Sequence, residues 1–320
     1  MRLPANPPGS AILGLGHYQP ARILDNHEIA RSVETSDEWI RSRTGVVTRR
    51  VAAESETVAD MAIAAGRQAL ADAGLPASEV DLVLVATTTT EDRVPNTAGR
   101  VSAALGALRP AVMDLNVACS GFAHALALAD QSIRCGSART ALVIGAEKLT
   151  AFTDWQDRGT CVLTADGAGA FVLGVSDTPR VGPVVWGSRP DMAPSVTIQA
   201  PSHRFVQDGR TVFKWAIGEA AKLARSAVEA AGLGLDQIQV LAPHQANLRI
   251  IEPLAEQLGL ADRVVVTDVV ESGNSSAASI PMGLSKWWHA GRIPADVPTL
   301  LFGFGGGFAY AGQVVMTPRR

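Results

Sequence analysis

Ala69-Leu70-Ala71-Asp72-Ala73-Gly74-Leu75, a short polar link and then Val80-Asp81-Leu82-Val83-Leu84-Val85 spell an alanine-rich helix stopped by glycine and followed by a buried strand. Ala227-Val228-Glu229-Ala230-Ala231-Gly232-Leu233, another polar link and Ile238-Gln239-Val240-Leu241 spell it again. Gly74 and Gly232 are 158 positions apart, and so are Val80 and Ile238. Further on, Ala141-Leu142-Val143-Ile144-Gly145 and Thr299-Leu300-Leu301-Phe302-Gly303 keep that offset, each preceded by a helix that ends in glycine, at Gly136 and Gly291. Three segments in one register predict an α/β chain of two similar halves, with helices covering the sheets. The expected division is 1–175 for the first half and 176–320 for the second. Residues of about 176–210, rich in Pro, Gly and polar groups, form the connecting excursion.

Bulk properties exclude several classes. A chain of 320 residues with 47% apolar content can bury one large core or two modest ones. Its 28 basic and 31 acidic residues lack the basic excess of a nucleic-acid binder. Cys119, Cys135 and Cys161 cannot form a paired framework and none sits in a CxxC, which fits a reducing cytoplasm. The six histidines lack HExxH or Cys/His spacing, so no metal is expected. The N-terminus has no basic region followed by an apolar stretch, and no run reaches membrane-spanning length.

Chemistry enters with Asp114-Leu115-Asn116-Val117-Ala118-Cys119-Ser120-Gly121-Phe122. A short strand runs into a cysteine, and a small-residue helix begins just after it. A thiol there meets unpaired N–H groups and the macrodipole, which favour thiolate. Later come Pro243-His244-Gln245-Ala246-Asn247, Gly273-Asn274-Ser275-Ser276 and Gly303-Phe304-Gly305-Gly306-Gly307-Phe308. A nucleophile, an imidazole, an amide and a glycine turn suit carbon–carbon bond formation on an acyl-cysteine. The Gly305–Gly307 run is not a phosphate loop, because no GK[ST] follows it. A Cys-His-Asn peptidase would use the same residue order, but the flanking sequence and the repeat argue against it.

Taken together, these segments resemble β-ketoacyl-[acyl-carrier-protein] synthase III of the thiolase superfamily. The likeness runs nearly end to end, through Ser36-Asp37-Glu38-Trp39-Ile40, Arg43-Thr44-Gly45, the cysteine segment, Asp157-Arg158-Gly159-Thr160, Asp166-Gly167-Ala168-Gly169-Ala170, Val212-Phe213-Lys214 and the three C-terminal motifs. It implies a duplicated five-layered αβαβα fold, a homodimer, acyl-CoA and malonyl-acyl carrier protein as substrates, and no cofactor beyond the coenzyme A thioester. It also implies roles. Cys119 takes the acyl group, and Gly306 with Cys119 supplies oxyanion N–H groups. His244 and Asn274 stabilise the enolate of a decarboxylating malonyl thioester, with Phe304 as a wall. Trp39, Arg43 and Arg158 hold the adenine end of coenzyme A. Gly209, Phe213 and Asn247 line the pantetheine tunnel. Lys214 and Arg249 meet the acidic carrier protein.

Two positions depart from the family pattern toward smaller side chains, Thr164 where many members have Phe and Val94 in the segment that reaches across the dimer. Both point to an acyl pocket for a longer or branched primer. The alternative is a specialised starter-unit ketosynthase, or an acyltransferase, of polyketide or secondary metabolism.

Overall fold

In the computed structural model, which describes residues 9–319, the two repeats become two five-stranded sheets of identical plan. Residues 1–8, on which the expectation of no leader partly rests, lie outside the described residues. The first sheet runs Gly9–Tyr18, Asp166–Ser176, Thr140–Lys148, Leu82–Ala86, Ala111–Leu115, and the second Val185–Ser188, Ala309–Met316, Pro298–Phe304, Val240–Pro243, Val264–Val265. In both, the first two junctions are antiparallel and the last two parallel. The register carries the sequence offset: Leu82 faces Ala141, and Val240 faces Thr299.

The layers follow from which helix faces are apolar. Helices Gly121–Arg134 and Ser279–His289 touch strands of both sheets and form the middle layer. Around them lies a core of Phe122, Leu126, Ile133, Phe171, Ile280, Leu284 and Leu301, drawn from both halves. Phe122 meets Phe171 edge to face at 4.8 Å, and burying each such ring stabilises the fold by about 1.5–3 kcal/mol. Helices Val58–Ala73 and Thr97–Leu105 cover the outer face of the first sheet. Ala221–Ala230 and Leu248–Leu258 cover that of the second. The result is the duplicated αβαβα arrangement. The helix Val58–Ala73 shows why these segments start and stop where they do. Thr57 and Asp60 form a reciprocal capping box at its start, and Gly74 ends it in the left-handed region at φ 63°.

Each middle helix is entered through a 3-10 turn, Ala118–Ser120 in one half and Ser276–Ala278 in the other, again 158 positions apart. Ala118 and Ser276 take positive φ, 45° and 47°, where residues other than glycine are strained. The two turns pack against one another where the halves meet. In this way Cys119 and Asn274, distant in sequence, arrive at one place.

Strand Thr140–Lys148 is pressed against the second turn. A Cβ on Gly145 would stand 2.3 Å from the Ala277 carbonyl oxygen, and backbone cannot retreat as a flexible side chain can. Gly145→Ala is therefore expected to lower unfolding stability by about 1–3 kcal/mol in urea titrations. Gly218→Ala, with open space at its Cβ inside a helical segment, leaves stability unchanged or slightly raised.

Candidate active site

Cys119 is buried in its turn, two residues before the helix Gly121–Arg134. Burial pushes its thiol pKa up, while the Ser276 hydroxyl and the Gly306 N–H pull it down and the Glu147 charge adds to the rise. The expected preference for thiolate at a helix start is thus outweighed by desolvation, and the resting sulfur is a thiol. The glycine turn closes over it. A Cβ on Gly305 would lie 2.7 Å from the Cys119 sulfur, and one on Gly306 2.7 Å from the Ala118 Cβ. Only glycine lets this backbone come so near the sulfur.

His244 follows the strand Val240–Pro243, fully buried and edge-on to Phe304 with ring centroids 6.0 Å apart. Its Nδ1 is 2.7 Å from Ser279 Oγ, and that oxygen also accepts the Gln245 N–H at 3.3 Å. A serine proton donated to Nδ1 corresponds to the tautomer in which Nε2 carries the ring's hydrogen. Burial lowers the ring pKa to about 3, so the imidazole is neutral. Asn274 hydrogen-bonds through its backbone to Leu163 O (2.8 Å) and to Ala165 N (2.9 Å). Its Oδ1 accepts the Ser276 N–H at 2.9 Å, turning the amide NH₂ away from that turn. Contacts therefore link Cys119 to Asn274 through Ser276, and to His244 through Gly305 and Phe304.

Beside Asn274 opens a cleft of about 410 Å³ lined by Trp39, Arg43, Arg158, Gly209, Phe213, Asn247 and Arg249 among others. All six residues expected to hold coenzyme A are in its lining, and Arg249 joins them. Arg43, Arg158, Arg210 and Arg249 are exposed around it, a cationic rim on a chain of net charge −3.

A model of 3-oxoacyl-[acyl-carrier-protein] synthase III matches residues 113–190, and the C-terminal model of the same enzyme matches 228–317. Beta-ketoacyl-[acyl-carrier-protein] synthase III 4 of Streptomyces coelicolor is 54% identical over 97% of this chain and 99% of its own length. The chain belongs to the β-ketoacyl-[acyl-carrier-protein] synthase III family. A second relative, synthase III 2 of Streptomyces avermitilis, is 53% identical over 97% of this chain and 99% of its own. Among solved structures, a priming β-ketosynthase of a polyketide pathway superposes with TM-score 0.96 at 38% identity, covering 100% of this chain and 99% of that one. The synthase III of Aquifex aeolicus does so with TM-score 0.92 at 38% identity, covering 96% and 100%. The fold is that of the thiolase-like condensing enzymes, and the protein is an acyltransferase of that class, which works without a cofactor.

Several of the expected positions already have partners or surroundings of their own. The Arg158 guanidinium lies 4.8 Å from the Trp39 ring centroid and donates to Glu34 O at 3.0 Å. The two side chains expected to flank a base are in contact with each other. The Asn247 amide is already used: it caps the helix Leu248–Leu258 through Arg249 N (2.9 Å) and donates to Arg43 O (3.1 Å). Lys214 is exposed and outside the cleft lining, while Arg249 stacks over Phe213 at 5.5 Å. Thr164 is fully buried, its hydroxyl accepting from Thr153 at 2.7 Å. Val94 is 89% exposed and is outside the lining of the cleft that holds Phe213. Sequence reasoning passed over Arg210, Ser276, Ser279 and Glu147. Of these, only Ser276 and Ser279 carried a signal, since Ser276 ends the quoted stretch Gly273-Asn274-Ser275-Ser276 and Ser279 lies three residues on.

The buried neutral ring has a thermodynamic consequence. His244 titrates near 6.5 when unfolded and near 3 when folded, so the unfolded chain binds more protons between those values. Its contribution to stability is whole above pH 6.5 and lost as pH falls toward 3. The wild-type advantage over His244→Gln in urea unfolding should therefore shrink below pH 6.5, by at most about 1.4 kcal/mol per pH unit. Taking this difference cancels the opposite drift from Asp166, whose buried carboxyl is raised to about 6 in both proteins.

Proposed function

We propose that the chain joins an acyl primer, delivered on coenzyme A, to malonyl-acyl carrier protein, releasing carbon dioxide and 3-oxoacyl-carrier protein. The observation that carries this reading is the linked set of Cys119, the Gly306 N–H, His244 and Asn274 beside a cleft rimmed by arginines. Cys119 attacks the primer thioester and coenzyme A leaves as its thiolate, which water protonates. The Cys119 and Gly306 N–H groups hold the oxyanion. Malonyl thioester then enters, and the His244 Nε2–H and the Asn274 amide donate to its carbonyl as carbon dioxide departs. Both donors are uncharged and stay so across neutral pH. The resulting carbanion attacks the acyl-Cys119 carbonyl and expels the sulfur. The arginine rim suits the phosphates of coenzyme A, and Lys214 with Arg249 suits an acidic carrier protein. Thr164 and Val94, in place of larger side chains, suit a longer or branched primer. Three unpaired cysteines suit the reducing cytoplasm as the place of work.

The second reading, a starter-unit synthase for polyketide assembly, is favoured by the likeness to the priming ketosynthase. A primer panel tests both. The enzyme is loaded with acyl-CoAs of increasing length, malonyl-carrier protein is added, and the carrier is weighed by mass spectrometry. Wild type should add a 3-oxoacyl mass. Cys119→Ala should add none, while His244→Ala and Asn274→Ala should still load Cys119 but condense about 10²–10³-fold more slowly. Charge reversal at Lys214 and Arg249 should raise the KM for malonyl-carrier protein with little change in kcat. A simple acyl gain on the carrier, without loss of carbon dioxide, would replace condensation by acyl transfer.

A homodimer is the second part of the proposal. The strand Ala111–Leu115 ends its sheet, and Met113 is 47% and the nearby Leu108 75% exposed. Asp114 ties this strand to the loop bearing Val94 by accepting the Thr97 and Ala98 N–H groups, both at 2.8 Å. An apolar, unpaired sheet edge is stable in water only when covered, and a second copy meeting it across a twofold axis covers Val94 too. Sedimentation should give twice 33.4 kDa, and Met113→Asp should give the single-chain mass.

A further inference from the structure

Behind Cys119 lies a carboxyl that the reaction above does not use. Glu147 sits on the strand Thr140–Lys148, two residues beyond Gly145 and so on the same face, the face pressed against the turn Ser276–Ala278. It is fully buried. Thr89 donates to its Oε2 at 2.5 Å, the Thr88 N–H at 3.1 Å and the Thr87 hydroxyl at 3.3 Å, and the Thr88 hydroxyl reaches Oε1 at 3.2 Å. Thr87 Oγ1 also accepts the Thr89 N–H and Thr89 Oγ1 the Lys148 N–H, which leaves both hydroxyl protons to the carboxyl. So many converging donors suit a carboxylate, while burial without a neighbouring cation favours the acid. Such a group is poised to change state.

The turn that begins at Ser276 packs against both the strand bearing this carboxyl and the turn bearing Cys119, so Ser276 stands between the carboxyl and the thiol. Other charges nearby are turned elsewhere. The Lys148 ammonium is held by the carbonyls of Ala53, Glu54 and Glu56, and Asp166 on the adjoining strand is held by Ala52 and Thr150. We propose that Glu147 and Ser276 form a proton store behind Cys119. The inference rests on the proposed condensation.

In acylation the Cys119 S–H bond breaks as the S–C bond forms. The thiol proton passes to Ser276 Oγ, the serine's own proton passes to the Glu147 carboxylate, and coenzyme A leaves as thiolate and is protonated by water. In condensation the malonyl carboxylate departs as carbon dioxide and its electron pair becomes the new carbon–carbon bond. The expelled Cys119 sulfur then recovers the stored proton from Glu147 through Ser276. One negative charge enters that half-reaction on malonyl and one remains afterwards on Glu147, so no solvent proton is needed. Glu147 acts through Ser276 and is a positioning residue for the proton.

A bystander carboxylate and a proton store predict opposite results. Glu147's charge raises the thiol pKa, so neutralising a bystander would make Cys119 more acidic and faster to react. Neutralising a proton store slows it. The test is the rate at which acyl-CoA loads Cys119, read by mass spectrometry from pH 6 to 9, in wild type, Glu147→Gln and Ser276→Ala. Alanine suits the backbone at 276, because Ala118 holds the same φ at the equivalent place. Both variants are expected to load about 100-fold more slowly at pH 7 and to recover as pH rises. Loading by either folded variant at or above the wild-type rate, with an unchanged pH profile, would overturn the proposal. A wild-type enzyme that loads but never condenses would instead overturn the proposed function, and the loading rates would still report on Glu147.

Discussion

The contact between the turns Ala118–Ser120 and Ser276–Ala278 is the constraint on which the site depends. Each turn holds a non-glycine residue at positive φ, a conformation that costs of order 1–3 kcal/mol and persists only where surrounding structure over-determines it. Here the determinants are the two middle helices that the turns begin, and the strands that press on them from either sheet. Gly145 lies on the Ala277 carbonyl, and Gly303 lies on Ser120 and the Cys119 carbonyl. Each half thus braces the turn of the other. The thiol, the amide and the imidazole are fixed by this reciprocal packing far more than by local hydrogen bonds.

The duplication also shows how one plan supports unlike chemistry. Counting 158 positions from the first half to the second, Asn116 corresponds to Asn274, Ala118 to Ser276, Cys119 to Ala277 and Ala86 to His244. The nucleophile is on one copy, and the imidazole and the Ser276 hydroxyl are on the other. Alanine fills the matching places at 277, 118 and 86, while asparagine stands at both 116 and 274. At the pairs 119/277, 118/276 and 86/244 only one copy carries a reactive group, so the centre is asymmetric within a symmetric plan.

Much of this was legible in the chain. Alanine-rich helices ended by glycine and followed by β-branched runs are local signals, and their repetition at a constant offset is visible without any contact information. The family motifs led to Cys119, His244, Asn274 and to the residues of the cleft. What escaped depends on burial and distance. Glu147 stands in Ala141–Lys148 like any acid at the end of a strand, and only the fold brings Thr87, Thr88 and Thr89 around it. The helix start after Cys119 suggested a thiolate, yet desolvation is the larger effect, and its size is set by side chains from both halves. The same desolvation pushes His244 the other way, so an acid and a base by sequence both become neutral in place. The resemblance put Asn247 in the tunnel, and the fold adds that its amide holds Arg43 and caps a helix at the cleft.

The closed Arg158–Trp39 pair makes the proposed entrance unequal for its two visitors. In the proposed reading, coenzyme A ends in a purine that displaces a guanidinium from an indole, exchanging one stacking partner for another. A pantetheine arm borne on a carrier protein ends in protein and has no ring to insert, so in that reading it passes with the pair still shut. The proposed doorway then acts as a latch that only the nucleotide-tailed cargo has to lift.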